Sequence, residues 1–119
     1  MKDFIPYELA KILEAKGFDN DFNYGYNDKG DICVPVYNID EDQLMTMTPC
    51  PEIHEVLKWL REKKKLHVSI MTFMFKAGWC CEVVRLGDSP ALVAAHSNSY
   101  NTYEQAAIAG IEYVINNLI

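Results

Sequence analysis

The chain has 119 residues and a formal net charge of −6, and 50% of its residues are hydrophobic. This length suits one domain, and we predict a single globular domain over residues 1–119. An aromatic content of 12% argues against disorder, since disordered chains are poor in aromatic residues. No apolar run in the sequence reaches the roughly 18 residues of a membrane helix, and the charged segment 1–8 is not typical of a secretory signal. We therefore expect a cytoplasmic protein that does not act at a membrane.

The negative charge is concentrated in the first half of the chain. Residues 1–51 hold four lysines and ten acidic residues, whereas residues 52–119 hold seven basic and seven acidic residues. A general nucleic-acid binder needs a basic face that neutralises phosphates. Nucleic acid is therefore not an expected partner.

The first predicted element is a helix over residues 6–16. Proline is favoured in the first helical turn, so Pro6 marks the start of this helix. Gly17 predicts a left-handed helix end, on which Phe18 folds back in a Schellman motif.

A β-hairpin is predicted over residues 22–37, where aromatic and apolar residues flank a polar turn that ends in glycine. Pro35 lies in the returning strand and cannot donate a hydrogen bond to a ladder. We therefore expect that strand to lie at the edge of a sheet or to carry a bulge.

The second half of the chain has the pattern of a helix, three strands and a helix. Thr48 is the expected N-cap of the first of these helices, and Thr102 with Gln105 is the expected capping box of the second. The complete prediction is an α+β fold, in which an N-terminal helix and β-hairpin precede an α-β-β-β-α unit with its helices packed on one face of an antiparallel sheet. The predicted ranges are 49–65 for the helix, 67–75, 79–86 and 91–97 for the strands, and 103–118 for the last helix.

Apolar periodicity predicts the buried faces of these two helices. Trp59 lies off the first stripe and is expected to cover another edge of the core. Gly110 lowers helix propensity and is expected to permit close packing on the sheet. The predicted core stripes are Ile53, Val56, Leu57 and Leu60 in one helix, and Ala107, Ile111, Val114, Ile115 and Leu118 in the other.

The four cysteines are Cys33, Cys50, Cys80 and Cys81. Without a secretory signal we expect reduced thiols and no intrachain disulfide. Cys80 and Cys81 are adjacent in a predicted strand, so their side chains point to opposite faces and are poor joint metal ligands. Cys50 and His54 have a feasible ligand spacing, but a structural zinc site needs four ligands, usually in close pairs. No metal site and no cofactor is predicted.

Catalytic motifs are missing from the sequence. It contains no phosphate-binding glycine loop, no dinucleotide fingerprint and no Gly-x-Ser-x-Gly elbow. A cysteine nucleophile needs a neighbouring histidine, and His96 could meet Cys80 or Cys81 only if the strand register brought them together. We therefore predict no catalytic residue and no enzymatic activity. An enzyme that uses Cys80 or Cys81 is the least favoured function.

Basic residues are frequent at the end of the helix predicted over 49–65. Cations there oppose the negative end of the helix dipole, so a solvated helix end explains them. They could instead contact phosphate or an acidic partner, and Trp79 is a further candidate contact. The candidate contact residues are Lys58, Arg61, Lys63, Lys64, Lys65 and Trp79.

The order helix, three strands, helix over residues 49–119, together with Glu-Gln-Ala-Ala at 104–107, is similar to a double-stranded RNA-binding domain. The similarity does not extend to the RNA-binding residues of that family. Its lysines at the start of the closing helix are replaced by Asn-Thr-Tyr-Glu at 101–104, and its Gly-Pro-x-His turn by Lys-Ala-Gly-Trp at 76–79. The resemblance implies a shared architecture, and architecture alone does not imply function.

A second set of motifs is scattered over the whole chain. These motifs are Phe4-Ile5-Pro6-Tyr7-Glu8, Leu13, Gly17-Phe18-Asp19, Tyr24-Gly25-Tyr26, Trp59-Leu60-Arg61-Glu62-Lys63 and Thr102-Tyr103-Glu104-Gln105-Ala106. They resemble a group of small uncharacterised proteins from bacterial phages and prophages. The resemblance implies a phage or prophage origin and a cytoplasmic location, and it implies nothing about catalysis.

We expect a non-enzymatic accessory protein of a phage or prophage that binds another protein. Seven tyrosines and Trp79 exceed what the predicted core consumes, and tyrosine and tryptophan are favoured at interfaces. The alternative is a nucleic-acid-binding module that uses the sheet or the basic helix end. We expect a monomer or a weak homodimer, because no second apolar stripe is left over on the helices.

Overall fold

A computed structural model of the chain describes residues 4–18, 24–26, 33–35, 47–72, 77–95 and 99–119. The chain divides into two compact units, Met1–Glu52 and Ile53–Ile119, which are described in turn. Helices and antiparallel sheets are both present, which confirms the α+β class. The expected single domain over residues 1–119 stays a prediction.

Helix α1 of the first unit runs over Tyr7–Ala15, close to its predicted bounds. Gly17 ends it with a positive φ of 95°. The N–H of Phe18 donates to the carbonyl of Leu13 at 3.0 Å, which is the long hydrogen bond of a Schellman motif. The predicted helix end is therefore confirmed, and Phe18 and Leu13 are both buried.

The first unit also holds a small antiparallel sheet of three strands. They are β1 over Tyr24–Tyr26, β2 over Cys33–Pro35 and β3 over Thr48–Pro49. Their order in the sheet is β2-β1-β3, so the strand that contains Pro35 is an outer strand, which confirms the predicted edge position. Thr48 and Pro49 of β3 pair with Tyr26 and Gly25.

The prediction that Thr48 caps a helix beginning at Pro49 is wrong. Thr48 and Cys50 each precede a proline, and the proline ring disfavours helical backbone at the residue before it. The backbone is therefore extended here, and the N–H of Cys50 donates to the carbonyl of Tyr24 at 2.9 Å. The helix begins only after the second of these prolines.

The tyrosines of β1 are half-buried and pack against other aromatic rings of the first unit. Tyr24 lies 5.0 Å from the ring of Phe4, and Tyr26 meets Tyr7 edge to face at 5.2 Å. The Tyr26 hydroxyl donates to the carbonyl of Ile5 at 2.6 Å, and burial raises the pKa of Tyr26 above its ordinary value. These tyrosines stabilise the unit, so fewer aromatic side chains remain for a partner than their number in the sequence indicates.

The second unit has the predicted order of a helix, three strands and a helix. The elements are α2 over Ile53–Lys63, β4 over Leu66–Thr72, β5 over Trp79–Arg85, β6 over Ala91–Ala95 and α3 over Tyr103–Asn117. The three strands form an antiparallel sheet in the order β4-β5-β6. Predicted strand residues 73–75 and 96–97 lie outside the described residues.

Helix α3 packs directly on the sheet at Gly110. A Cβ at this position would lie 2.5 Å from Val68 Cγ1 and 3.4 Å from Cys81 Sγ, so the expected close approach is confirmed. Ile111 beside it is fully buried.

Helix α2 differs from its predicted core stripe at Leu57, which is only half-buried. Trp59 was expected to cover another edge of the core, and it is 3% exposed and belongs to the core. Apolar periodicity predicts the middle of the buried helix face, which is at Val56 and Leu60 here. It does not predict which side of that face the neighbouring elements cover.

Candidate functional site

The strand register separates the candidate residues into two groups at opposite ends of the second sheet. Trp79 pairs with Thr72 at one end, and Arg85 pairs with Leu66 at the other. Six steps along β5 span about 20 Å, so Trp79 does not share a surface with Lys65, the residue before Leu66. We name Trp79, Tyr100 and Tyr103 the aromatic end, and Lys63, Lys64, Lys65 and Arg85 the basic end.

An aromatic pair forms the centre of the aromatic end. The rings of Trp79 and Tyr103 meet edge to face, with centroids 5.6 Å apart and an interplanar angle of 89°. Tyr103 remains 40% exposed, and Trp79 is half-buried. Such pairs contribute about 0.5–1.5 kcal/mol beyond the area that they bury, so the pair is held together without a partner while one ring stays accessible.

Backbone hydrogen bonds fix the aromatic end. Trp79 and Tyr100 exchange two of them, each of 2.8 Å. The hydroxyl of Ser99 donates to the carbonyl of Ala77 at 3.0 Å. Gly78, the residue after Ala77, has a φ of 119°, and a Cβ on it would collide with Ser99 Oγ. This turn therefore requires glycine. The segments that carry Trp79 and Tyr100 are therefore joined closely.

The start of α3 is fixed by the predicted capping box. Thr102 Oγ1 accepts a hydrogen bond from the N–H of Gln105 at 3.1 Å, and Gln105 Oε1 accepts one from the N–H of Asn101 at 3.0 Å. The first bond satisfies a donor that the first helical turn leaves unpaired. The return bond of the Gln105 side chain goes to Asn101, one residue before the N-cap, and ties the preceding chain to the helix start. Both bonds hold Tyr103 in place, because it is the residue directly after the cap.

The basic end forms where α2 turns into β4. Lys64 Nζ lies 5.4 Å from the ring centroid of the buried Trp59, a cation–π distance. Lys65 has a φ of 57°, and its carbonyl accepts a hydrogen bond from the N–H of Leu86 at 2.8 Å. Lys63 and Lys65 are exposed, so their charges face solvent.

Arg85 is the member of the basic end that sequence reasoning missed. It is exposed, and its pairing with Leu66 places it beside the end of the lysine run. It lies twenty positions after Lys65 in the sequence, and only the strand register brings the two together. Lys58 and Arg61, the other two basic candidates, are exposed on α2.

The opposite face of the second sheet offers a less favourable surface for nucleic acid. Val68 and Cys81 face α3, so their alternating neighbours point away from the helix. Glu82 lies in the middle of that far face and pairs with Ser69, and both are half-buried. A carboxylate at this place repels phosphate.

Cys50 is disulfide-bonded, which contradicts the expectation of no intrachain disulfide. It lies 2% exposed in the first unit, where it cannot act as the zinc ligand that its spacing from His54 allowed. The prediction failed because it rested on an expected reducing compartment and not on contacts. Stable disulfides are rare in a reducing cytoplasm, and the cytoplasmic location stays a prediction.

Cys80 and Cys81 are free thiols, and both are buried. Burial raises the pKa of Cys81, and the neighbouring Cys80 raises it further. A nucleophilic cysteine needs the opposite shift, since the thiolate is its reactive form. The histidine suggested as their partner, His96, lies outside the described residues.

No protein-family model, curated protein or solved structure matches this chain. Within the described residues, none of the helices combines the length and the hydropathy that a membrane-spanning helix requires.

Proposed function

We propose that this chain is a non-enzymatic accessory protein of a phage or prophage, and that it binds another protein through the aromatic end. The observation that carries the proposal is the edge-to-face pair of Trp79 and Tyr103, which leaves the tyrosine ring 40% exposed. Tryptophan and tyrosine are the residue types that most often dominate the binding energy of an interface.

The rigidity of the aromatic end supports binding. Association costs free energy for every side chain or loop that it must order. Here Trp79 is already fixed to Tyr100 by two backbone hydrogen bonds, and Tyr103 follows a capped helix start. A partner would therefore meet a surface that is already ordered.

The burial of the free thiols disfavours a catalytic role and so leaves binding as the better supported function. Cys81 is 0% exposed, and its raised pKa keeps it protonated at neutral pH. A substrate would have to enter the core to reach it. The exposed aromatic pair needs no such opening.

The proposal is tested by purifying the tagged chain from cells that carry the phage or prophage, identifying the co-purified protein and measuring its affinity for purified variants. We expect Tyr103→Ala and Trp79→Ala each to weaken binding by roughly 30-fold or more, the scale of an interface hot spot. Tyr113→Ala is the matched control, because it removes a tyrosine from the same helix about 15 Å away. An affinity that is unchanged in Tyr103→Ala would contradict the proposal.

A further inference from the structure

We propose that the basic end is a binding site for the phosphates of nucleic acid, without readout of base sequence. This site is separate from the aromatic end, and the inference does not rest on the protein-binding function. The negative net charge of the sequence argues against nucleic acid as a partner. Three structural observations argue for it.

The first observation is that the strand pairing brings basic residues of two elements to the same end of the sheet. Lys65 and Leu86 share a backbone hydrogen bond of 2.8 Å, and Leu66 pairs with Arg85. The backbone at the end of the lysine run therefore lies beside the end of β5 that carries Arg85. An arginine side chain can bind a phosphate with two parallel hydrogen bonds. A solvated helix end explains the lysines, but it does not require the arginine.

The second observation is the backbone of Lys65. Its φ of 57° lies in the left-handed region, which is unfavourable for residues other than glycine. Helices commonly place glycine at this position after their end. A lysine at this position costs stability, and unfavourable backbone conformations are found preferentially at functional sites. The side chain of Lys65 supplies an exposed charge in return.

The third observation is the division of charge between the two units. Residues 1–52 carry four basic and eleven acidic residues, whereas residues 53–119 carry seven basic and six acidic residues. The net negative charge therefore belongs entirely to the first unit. Five of the seven bases in the second unit lie between positions 58 and 65, with a single acid, Glu62, among them.

The chemistry of the basic end favours phosphates over an acidic protein. Protein interfaces gain most of their energy from apolar and aromatic anchors in a desolvated centre. Every member of the basic end is charged, and the ring beneath Lys64 is buried and hence not available as an anchor. Neutralising phosphates needs only placed cations, because the release of counterions supplies the free energy.

The experiment measures binding of a labelled duplex of about 20 base pairs, as DNA and as RNA, at several salt concentrations. We expect one phosphate contact from each of the four members of the basic end. A plot of the logarithm of the association constant against the logarithm of the salt concentration should then have a slope of about −3.6 on DNA. Affinity should thus fall on the order of 100-fold between about 50 and 200 mM salt. The acidic first unit is expected to keep the dissociation constant at low salt in the micromolar range.

A pair of charge-matched double variants tests the location of the site. Lys63→Ala with Lys65→Gly removes two charges from the basic end, and should reduce the magnitude of the slope by about 1.8. Lys11→Ala with Lys16→Ala removes two charges from the first unit and should leave the slope unchanged. Glycine at position 65 suits a φ of 57°, so lost binding would not result from unfolding.

Three results would overturn the inference. One is the absence of binding to either duplex at about 50 mM salt and about 100 µM protein, well above the range expected at low salt. Another is equal loss of binding in both double variants. The third is equally strong competition by poly-glutamate, which would show that the basic end selects negative charge in general and not phosphate.

Discussion

Gly110 and Val68 are so close that a Cβ on the glycine would lie 2.5 Å from the Cγ1 of the valine. This distance is well inside van der Waals contact, and Cys81 Sγ limits the space on the other side at 3.4 Å. Helix α3 therefore rests on the sheet at a position where no side chain fits. A glycine within a helix normally costs about 1 kcal/mol of stability relative to alanine. Here the missing side chain allows α3 to approach the sheet closely, which offsets that cost.

We predict that Gly110→Ala destabilises the protein, by about 1–3 kcal/mol for the overpacking less the gain in helix propensity. Urea unfolding measures the change. The double variant Gly110→Ala with Val68→Ala should show a favourable coupling between the two substitutions, because the second one opens space for the new methyl group. A single variant that is more stable than the parent would contradict this packing.

For Lys65, we predict that Lys65→Gly stabilises the protein by about 1 kcal/mol, because it removes the steric cost of left-handed backbone. Lys58→Gly is the matched comparison, since the same substitution at an exposed position in the interior of α2 should destabilise by about 1 kcal/mol. Both changes remove one positive charge, so the opposite signs isolate the backbone effect. Equal destabilisation in the two variants would show that Lys65 is not left-handed.

The Tyr26 hydroxyl is expected to couple stability to alkaline pH. Its pKa is raised above 10.0 in the folded state, so the unfolded chain loses this proton first as pH rises. The contribution is complete below about pH 10 and is lost progressively above it. Tyr26→Phe should cost about 0.5–1.5 kcal/mol at neutral pH, through the lost hydrogen bond, and should flatten the alkaline decline in unfolding free energy. A decline as steep in Tyr26→Phe as in the parent would contradict this coupling.

The disulfide of Cys50 predicts sensitivity to reductant. Reduction should lower the unfolding free energy by about 2–4 kcal/mol. Cys50→Ser should lower it similarly and then show no further response to reductant. In unfolded, unreduced protein only the two free cysteines, Cys80 and Cys81, should react with a thiol reagent. Reaction of all four cysteines would contradict the disulfide.

Local signals predicted those features that neighbouring residues determine. The Schellman end at Gly17 and the capping box of Thr102 and Gln105 depend on a few consecutive residues, and both were predicted. The predicted start of α2 is wrong because proline is favoured in the first helical turn, so Thr48, Pro49 and Pro51 fit a capped helix start. The same prolines also keep the residues before them extended, which is the conformation that forms here.

Features that depend on distant residues could not be read from the sequence. The pairing of Leu66 with Arg85 follows from a strand register that the alternation of side chains does not define. The same register separates Trp79 from the lysine run, although both were candidates for one contact surface. The disulfide of Cys50 likewise depends on folded contacts, which the spacing of cysteines in the sequence does not specify.

The most direct test of the proposed function is photo-crosslinking from the aromatic end. A photoreactive phenylalanine derivative replaces Tyr103 in one sample and Tyr113 in another, in cells of the organism that encodes the chain. We predict that position 103, whose native side chain is 40% exposed, yields one discrete crosslinked protein and that position 113 does not. Absence of a crosslink at position 103, or the same products from both positions, would contradict the account.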